Sequence, residues 1–494
     1  MGNPWNGQAV GWLQLTALVV FAAVLLKTQS PRQGAVAGWL FATAWFAGTF
    51  WWLFVAMHTY GGLAAPLAVA AVLALAAVLA LYHGIASAVF VACAPANRWL
   101  ASVLFAALWL LAEMARGVWF TGFGWGASAY AHVDALARSA QFVGSYGVGA
   151  LLALIACLVA CCWQGTADPR RWQWLTVAAG VAAAMAWVPG DPTRATTTLD
   201  VALLQGNIAQ DEKFQPGTGV ADALAWYAQQ LSVAQASLVV APETAIPLLP
   251  QQLPAEYWLA LQGRYRSGKQ AALVGVPLGN LADGYMNSVR GFKPAEGETA
   301  AQASYRYDKH HLVPFGEFIP PMFRWFTEMM AIPLGDFSRG GIGQSSFAWR
   351  GERLAPNICY EDLFGEELAA RFADPTLAPT IFVNLSNIGW FGDTVAIDQH
   401  LNISRMRSLE FGRPFIRATN TGDTVIIDHT GRVTHALPRH TRGVLLGTVQ
   451  GREDLTLYAR WAAQFGLWPL WLLAGVVVAI AVALRLRTGV TRPA

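Results

Sequence analysis

The sequence predicts a multi-span helical membrane domain, then an α/β domain, closed by one C-terminal transmembrane helix. Three observations carry this. The 494-residue chain is 55% hydrophobic and 13% charged, and its mean hydropathy of +0.38 is too apolar for a single soluble globule. Charge is uneven: the first part is nearly uncharged, while roughly residues 195–460 carry most of the Asp, Glu, Lys and Arg. Within that charged stretch, short apolar strands alternate with helical spacing. The domains are therefore set at 1–190 (helical membrane domain), 195–458 (α/β domain) and 461–484 (closing helix).

A bilayer core of about 30 Å needs roughly 20 apolar residues per helix. The candidate spans are 9–26, 35–57, 63–82 (extending toward 91), 100–118, 142–163 and 172–188, with 461–484 at the end. The first is not read as a signal peptide, because it lacks a basic start and a small-residue cleavage pattern. Lys27, Arg32, Arg98, Arg170, Arg171, Arg485, Arg487 and Arg492 mark one side, whereas the 58–62 connection has no Lys or Arg. The positive-inside rule puts the first group in the cytoplasm, so residues 190–460 and the chain start fall outside it. Glu113 and Arg116 interrupt the fourth span. Intramembrane charges are functional candidates, and the alternative is that Arg116 snorkels to the interface with Glu113 as its partner.

In the charged stretch, 199–205, 237–241, 271–276, 353–358, 380–385, 425–428 and 444–448 read as strands, and 221–236, 254–266 and 365–372 as helices. There is no phosphate-binding loop or dinucleotide fingerprint. A net charge of +3 makes no case for nucleic acid.

Four of the five cysteines (Cys93, Cys157, Cys161, Cys162) lie in apolar runs, and Cys359 stands alone in the α/β part. With one thiol there, no internal disulfide can form, and cysteine usage does not identify the compartment. Free cysteine usually packs as a small hydrophobe. Yet Cys359 ends a strand and is followed by Tyr360, Glu361 and Asp362, where a nucleophile would be placed. Glu243 follows strand 237–241 through Pro242, and Lys309 lies in Tyr307-Asp308-Lys309-His310-His311. Active sites of α/β folds gather at strand ends, so the three can converge. A carboxylate beside a thiol can take its proton, and an ammonium can stabilise thiolate and oxyanion. Neighbouring histidines on a strand face apart, so His310 and His311 are not read as metal ligands, and no metal is expected. A serine triad of Asp393, His400 and Ser386 is set aside.

These segments resemble the nitrilase superfamily, and most closely its membrane-bound branch, the apolipoprotein N-acyltransferases. The strings that carry the resemblance are Val240-Ala241-Pro242-Glu243-Thr244-Ala245-Ile246-Pro247, Lys309 to Glu317, Cys359-Tyr360-Glu361, Asn384-Leu385-Ser386-Asn387-Ile388-Gly389-Trp390-Phe391-Gly392-Asp393 and Arg413-Pro414-Phe415-Ile416-Arg417-Ala418-Thr419-Asn420. Leu204-Gln205-Gly206-Asn207-Ile208 and Phe120-Thr121-Gly122-Phe123 extend it over nearly the whole chain. The resemblance implies a nitrilase-like α-β-β-α sandwich with Cys359 as nucleophile, Glu243 as base and Lys309 at the oxyanion. It implies Glu317, Tyr360 and Glu361 as supporting groups, with Phe214, Trp390 and Phe326 contacting substrate. No cofactor is implied. The partners would be a phospholipid acyl donor, a diacylglyceryl apolipoprotein acceptor and membrane lipids, served by a monomer in the bacterial inner membrane with its catalytic domain on the periplasmic side. Two departures stand out. The family usually has one more span at the start, and this chain has Phe214 where the family often has Trp.

The segment from Phe318 to Leu334 is unusually apolar for a solvent loop. It reads as a lid or acyl-chain wall, or else as a loop folded on its own core. The competing functions are a membrane-anchored amidase, a channel with an inactive nitrilase-like module, and a lipoprotein-binding scaffold.

Overall fold

The computed structural model describes residues 9–164, 171–187, 191–280, 284–294, 304–319 and 337–488. The expected Phe326, and most of the apolar segment around it, lie outside these residues. The chain divides into two compact units: Met1–Phe54, Ala64–Gly190 and Phe465–Ala494 in one, Val55–Leu63 and Asp191–Gln464 in the other.

In the first unit, Ala65–Cys93, Arg98–Thr121, Ala137–Trp163 and Trp468–Arg487 are long and apolar enough to cross a bilayer. Gly11–Lys27 and Trp172–Ala186 are shorter apolar helices, and the 35–57 stretch is bent by 62° between Pro31–Thr49 and Leu53–Tyr60. The apolar run expected from Trp461 is divided: Leu457–Phe465 is a separate helix, and Gly466 with φ +55° breaks the chain before Trp468. Glycines let helices Pro31–Thr49 and Ala65–Cys93 pack closely, since a Cβ on Gly38 would meet the His83 carbonyl and the Ser87 side chain. Glu113 and Arg116 are each 1% exposed, so Arg116 does not snorkel outward. Glu113 accepts from the Ser128 N–H at 2.8 Å and hydroxyl at 3.0 Å, while Arg116 donates to the carbonyls of Phe123 and Trp125. The two charges satisfy the backbone of a non-helical segment, which hydrocarbon would otherwise leave without partners.

In the second unit the strands are β1 (Arg194–Gln205), β2 (Leu238–Ala241), β3 (Ala271–Asn280), β4 (Gly284–Phe292), β5 (Ser304–Asp308) and β6 (Phe347–Trp349). They continue as β7 (Glu352–Ile358), β8 (Ile381–Ser386), β9 (Phe415–Thr419), β10 (Val425–Ile427), β11 (Val433–Ala436) and β12 (Gly443–Glu453). Among the described residues they form two six-stranded sheets, ordered β12-β1-β2-β3-β4-β5 and β11-β10-β9-β8-β7-β6. The central strands β1-β2-β3 and β7-β8-β9 run parallel, and the outer pairings are antiparallel. Parallel central strands point their C-terminal ends the same way, which gathers their following loops at one edge.

Alternation within the strands builds the layers. Leu199, Val201 and Leu203 of β1, Val240 of β2 and Leu273 of β3 pack against Leu354, Ile381, Val383 and Ile416 of the other sheet. The opposite faces carry Ala202, Leu204, Val239 and Val274 onto helices Gly219–Val233 and Ala255–Arg266. Likewise Ala355, Phe382 and Phe415 meet Leu368, Tyr458 and Ala462 of outer helices. This is the expected α-β-β-α sandwich.

Strands β4, β5, β6, β9 and β11, and helix Ala396–Phe411, were not read from the sequence. The helix hid because its buried side includes Gln399, His400, Asn402, Ser404, Arg407 and Glu410, so no apolar stripe marks its inner face.

Leu273 lies fully buried in the layer between the sheets. Leu273→Ala should destabilise the protein by about 2–5 kcal/mol, read as a lower Tm of the purified protein; an unchanged Tm would contradict this packing.

Candidate active site

Four strand ends bring the reactive groups together. β2 ends at Ala241, with Pro242 and Glu243 next; β5 ends at Asp308, with Lys309 next. In the facing sheet β7 ends at Ile358, with Cys359 next, and β8 ends at Ser386, with Asn387 next. Gly275 of β3 makes room for the Glu243 turn: a Cβ there would lie 2.7 Å from the Glu243 Cα and closer still to the Pro242 carbonyl.

An ion cluster forms the floor. The Lys309 ammonium lies 2.8 Å from Glu317 Oε1 and 3.3 Å from Glu243 Oε1. Asn287 of β4 bridges the same two carboxylates, its Nδ2 donating to Glu243 at 2.7 Å and Glu317 at 2.8 Å. The remaining oxygens are also bonded, Glu243 Oε2 by the Asn387 N–H and Glu317 Oε2 by the Val313 N–H. Lys309 is 1% exposed. Burial alone would discharge it, but Glu243 and Glu317 outweigh burial and hold its pKa above the ordinary lysine range.

Cys359 has φ +51°, a left-handed conformation costly for a residue with a side chain. Several bonds hold it. Its carbonyl accepts from Asn384 Nδ2 at 3.0 Å and His400 Nε2 at 3.2 Å. Arg417 donates to His400 Nδ1 at 3.1 Å, which leaves the proton on Nε2, shared with Asp362 Oδ1 at 2.9 Å. Although burial works against it, the neighbouring His400 and Arg417 keep Asp362 below the usual carboxylate range. Just before the thiol, the Ile358 N–H donates to Glu361 Oε2 at 2.6 Å.

The thiol is pushed up to about 12, first by burial and then by the charge of Glu243, against Lys309, the Ser386 hydroxyl and the Asn387 N–H. At neutral pH it is therefore protonated, and its chemistry depends on a base. The arrangement can transfer an acyl group: the thiol supplies a nucleophile, Glu243 a proton acceptor and Lys309 a positive charge for an oxyanion.

The other residues singled out in the sequence are placed as follows. Glu317 is bonded to Lys309. Glu361 touches no reacting atom; it ties the Cys359 turn to the lysine loop by accepting from the N–H groups of Ile358, His310 and His311 and from the Tyr307 hydroxyl. Tyr360 packs edge-on against His311 and Phe364. Phe214 is 52% exposed. Trp390 is half-buried, with Tyr60 edge-on at 5.9 Å. His310 and His311 do face apart, one toward the Gly340 carbonyl and the other toward Glu367. Among the described residues no cluster of three or more His, Cys, Asp or Glu is arranged to hold a metal.

Sequence reasoning missed Asn287, because β4 was unread. It assigned no role to Asn384 and Asn387, although both lie in a string quoted above, and it set His400 in another grouping. It also missed Lys213, a lone cation in a polar loop that is 2% exposed and donates to the Glu243 carbonyl at 3.1 Å.

Residues 4–158 match the family model described as "Apolipoprotein N-acyltransferase N-terminal domain", and residues 200–458 match "Carbon-nitrogen hydrolase". An apolipoprotein N-acyltransferase of Verminephrobacter eiseniae is 58% identical, over 94% of this chain and 90% of its own. Proteins of the same name from Ralstonia nicotianae and Nitrosomonas europaea are 43% and 37% identical, covering 96% and 94% of this chain and 90% and 93% of theirs.

Two outcomes follow from this geometry. Glu243→Gln removes a charge that raises the thiol, so alkylation of Cys359 should titrate at lower pH than in the wild type, while acyl transfer falls by at least about 10²-fold. Titration at equal or higher pH would contradict the assigned field. Gly275→Ala should displace Glu243, cut activity at least about tenfold and lower Tm, because the added methyl group meets main-chain atoms of Pro242, Glu243 and Thr244; full activity at an unchanged Tm would show that the turn tolerates a methyl group.

Proposed function

The chain belongs to the apolipoprotein N-acyltransferase family, and we propose that it moves a fatty acyl chain from a membrane phospholipid to the α-amine of a lipoprotein's N-terminal diacylglyceryl-cysteine through a thioester on Cys359. The observation that carries this reading is the buried Glu243–Lys309–Glu317 cluster, whose field reaches the Cys359 thiol.

In the first half-reaction Glu243 takes the thiol proton and the sulfur attacks the ester carbonyl. The C–S bond forms, and negative charge on the carbonyl oxygen is met by Lys309, with the Tyr360 N–H as a second donor. Collapse breaks the ester C–O bond, and the lysophospholipid alkoxide leaves with the proton from Glu243. In the second, the acceptor amine gives a proton to Glu243 and attacks the thioester. The C–N bond forms, the C–S bond breaks, and the returning proton restores the thiol. Glu317 and Asn287 keep Lys309 and Glu243 in register through both halves. Phe214, Trp390 and Phe326 are assigned to substrate contact, and the Phe318-to-Leu334 segment to the acyl chain, where each buried CH₂ contributes about 0.8 kcal/mol.

The apolar helices suit this chemistry. With both substrates held in a bilayer, a membrane-anchored enzyme meets each at high effective concentration. We assign the protein to the bacterial inner membrane, with residues 191–464 on the periplasmic side and no partner subunit required.

Purified protein incubated with phospholipid alone should gain an acyl mass on the Cys359 peptide, lost in Cys359→Ala. A wild type that gains none while hydrolysing small amides would replace this reading with that of an anchored amidase.

A further inference from the structure

Lys213 has no part in the scheme above, yet it is placed to affect it. It lies on the loop after β1, which two contacts fasten to the β8 and β9 ends. Asn420 bonds both main-chain polar groups of Ile208, and Asn387 Nδ2 donates to Gln210 at 2.8 Å. Its neighbours Asp211, Glu212 and Phe214 are exposed, while Lys213 itself points inward and is 2% exposed. Among the described residues its ammonium makes one hydrogen bond, 3.1 Å to the Glu243 carbonyl, and stands 5.8 Å from the Phe214 ring. A buried ammonium with no carboxylate in contact needs negative charge nearby. Here that charge is in the ion cluster. Glu243 and Glu317 close on the single ammonium of Lys309, which leaves one negative charge in excess. When Glu243 takes the thiol proton, that excess moves to sulfur and is not removed.

We infer that Lys213 is a positioning residue of this site: its ammonium fixes the turn that carries Glu243 and supplies the positive charge that lets Cys359 ionise beside two carboxylates. The inference rests on the reading of Cys359 as the acylated thiol. Burial pulls Lys213 down to about 8, against the ionisable groups that face it, Glu243 and, once ionised, Cys359. A second cation, Lys309, lies 3.3 Å from Glu243 Oε1. Lys213 is charged below about pH 8 and supports the thiolate there, and it loses that charge as pH rises further.

The test is the rate of carbamidomethylation of Cys359 by iodoacetamide, followed by peptide mass spectrometry on full-length protein in detergent from about pH 6 to pH 10. In the wild type the rise of rate with pH should flatten just above about pH 8, as Lys213 discharges. Lys213→Arg, which keeps its charge, should rise without that break. Lys213→Met, with wild-type Tm, should react about tenfold more slowly at pH 7, equivalent to one pKa unit on the thiol. A Met variant as fast as the wild type, or wild-type and Arg curves that run parallel, would overturn the role. If neither variant folds, the wild-type curve decides by the presence or absence of the break. Alkylation requires no acyl transfer, so a wild type that shows the break but gains no acyl mass from phospholipid would sink the transferase reading and leave this one standing.

Discussion

The catalytic unit depends on one buried ammonium held between two carboxylates. Lys309 follows an edge strand of one sheet, Glu243 follows a central strand of the same sheet, and Glu317 sits on the loop beyond. None of the three charges is tolerable alone in that interior. Removing one partner of a buried pair costs about 3–5 kcal/mol, because the remaining charge is left without compensation. The cluster therefore fixes three chain segments at once, and Asn287 sets their spacing by donating to both acids. Arrangement and stability are the same interaction, so the site cannot loosen without weakening the fold around it.

Another buried carboxylate, Glu361, does for the backbone what Lys309 does for the charges. Both its oxygens are used, one by Ile358 and Tyr307 and the other by His310 and His311. It thereby joins the turn bearing the thiol to the loop bearing the lysine, across the two sheets. On the other side of the thiol, Asn384 and His400 hold the Cys359 carbonyl. The left-handed Cys359 is thus constrained from both directions, as strained residues at reactive sites must be.

The electrostatics of the site follow from its composition. Burial and Glu243 keep the resting thiol protonated, which protects it from adventitious alkylation and oxidation, since the thiolate is the reactive form. Lys309, the Asn387 N–H and the Ser386 hydroxyl oppose that rise. Lys213 is a further buried cation whose position beside the Glu243 turn extends this balance beyond the nearest groups.

Sequence by itself determined the division into an apolar helical part and an α/β part, and it singled out Glu243, Lys309 and Cys359. Apolar runs marked the helices, alternating apolar strands marked the α/β unit, Glu243 and Cys359 stood out because each follows an apolar strand, and Lys309 stood out by the string it lies in. These are local patterns, and local patterns are written in neighbouring residues. Tertiary structure decided what depends on distant partners. The 62° bend near residue 50 and the break at Gly466 lie inside stretches whose hydropathy reads as continuous spans. Helix Ala396–Phe411 was invisible because it buries polar groups that find their partners only across the fold. Asn287 and Lys213 look like ordinary polar residues until the chain brings them onto the carboxylate and the main-chain carbonyl of Glu243. Sequence names the reactive groups because their types are rare in that setting, whereas the fold alone decides which buried charges share a partner, because the field of each depends on what is packed beside it.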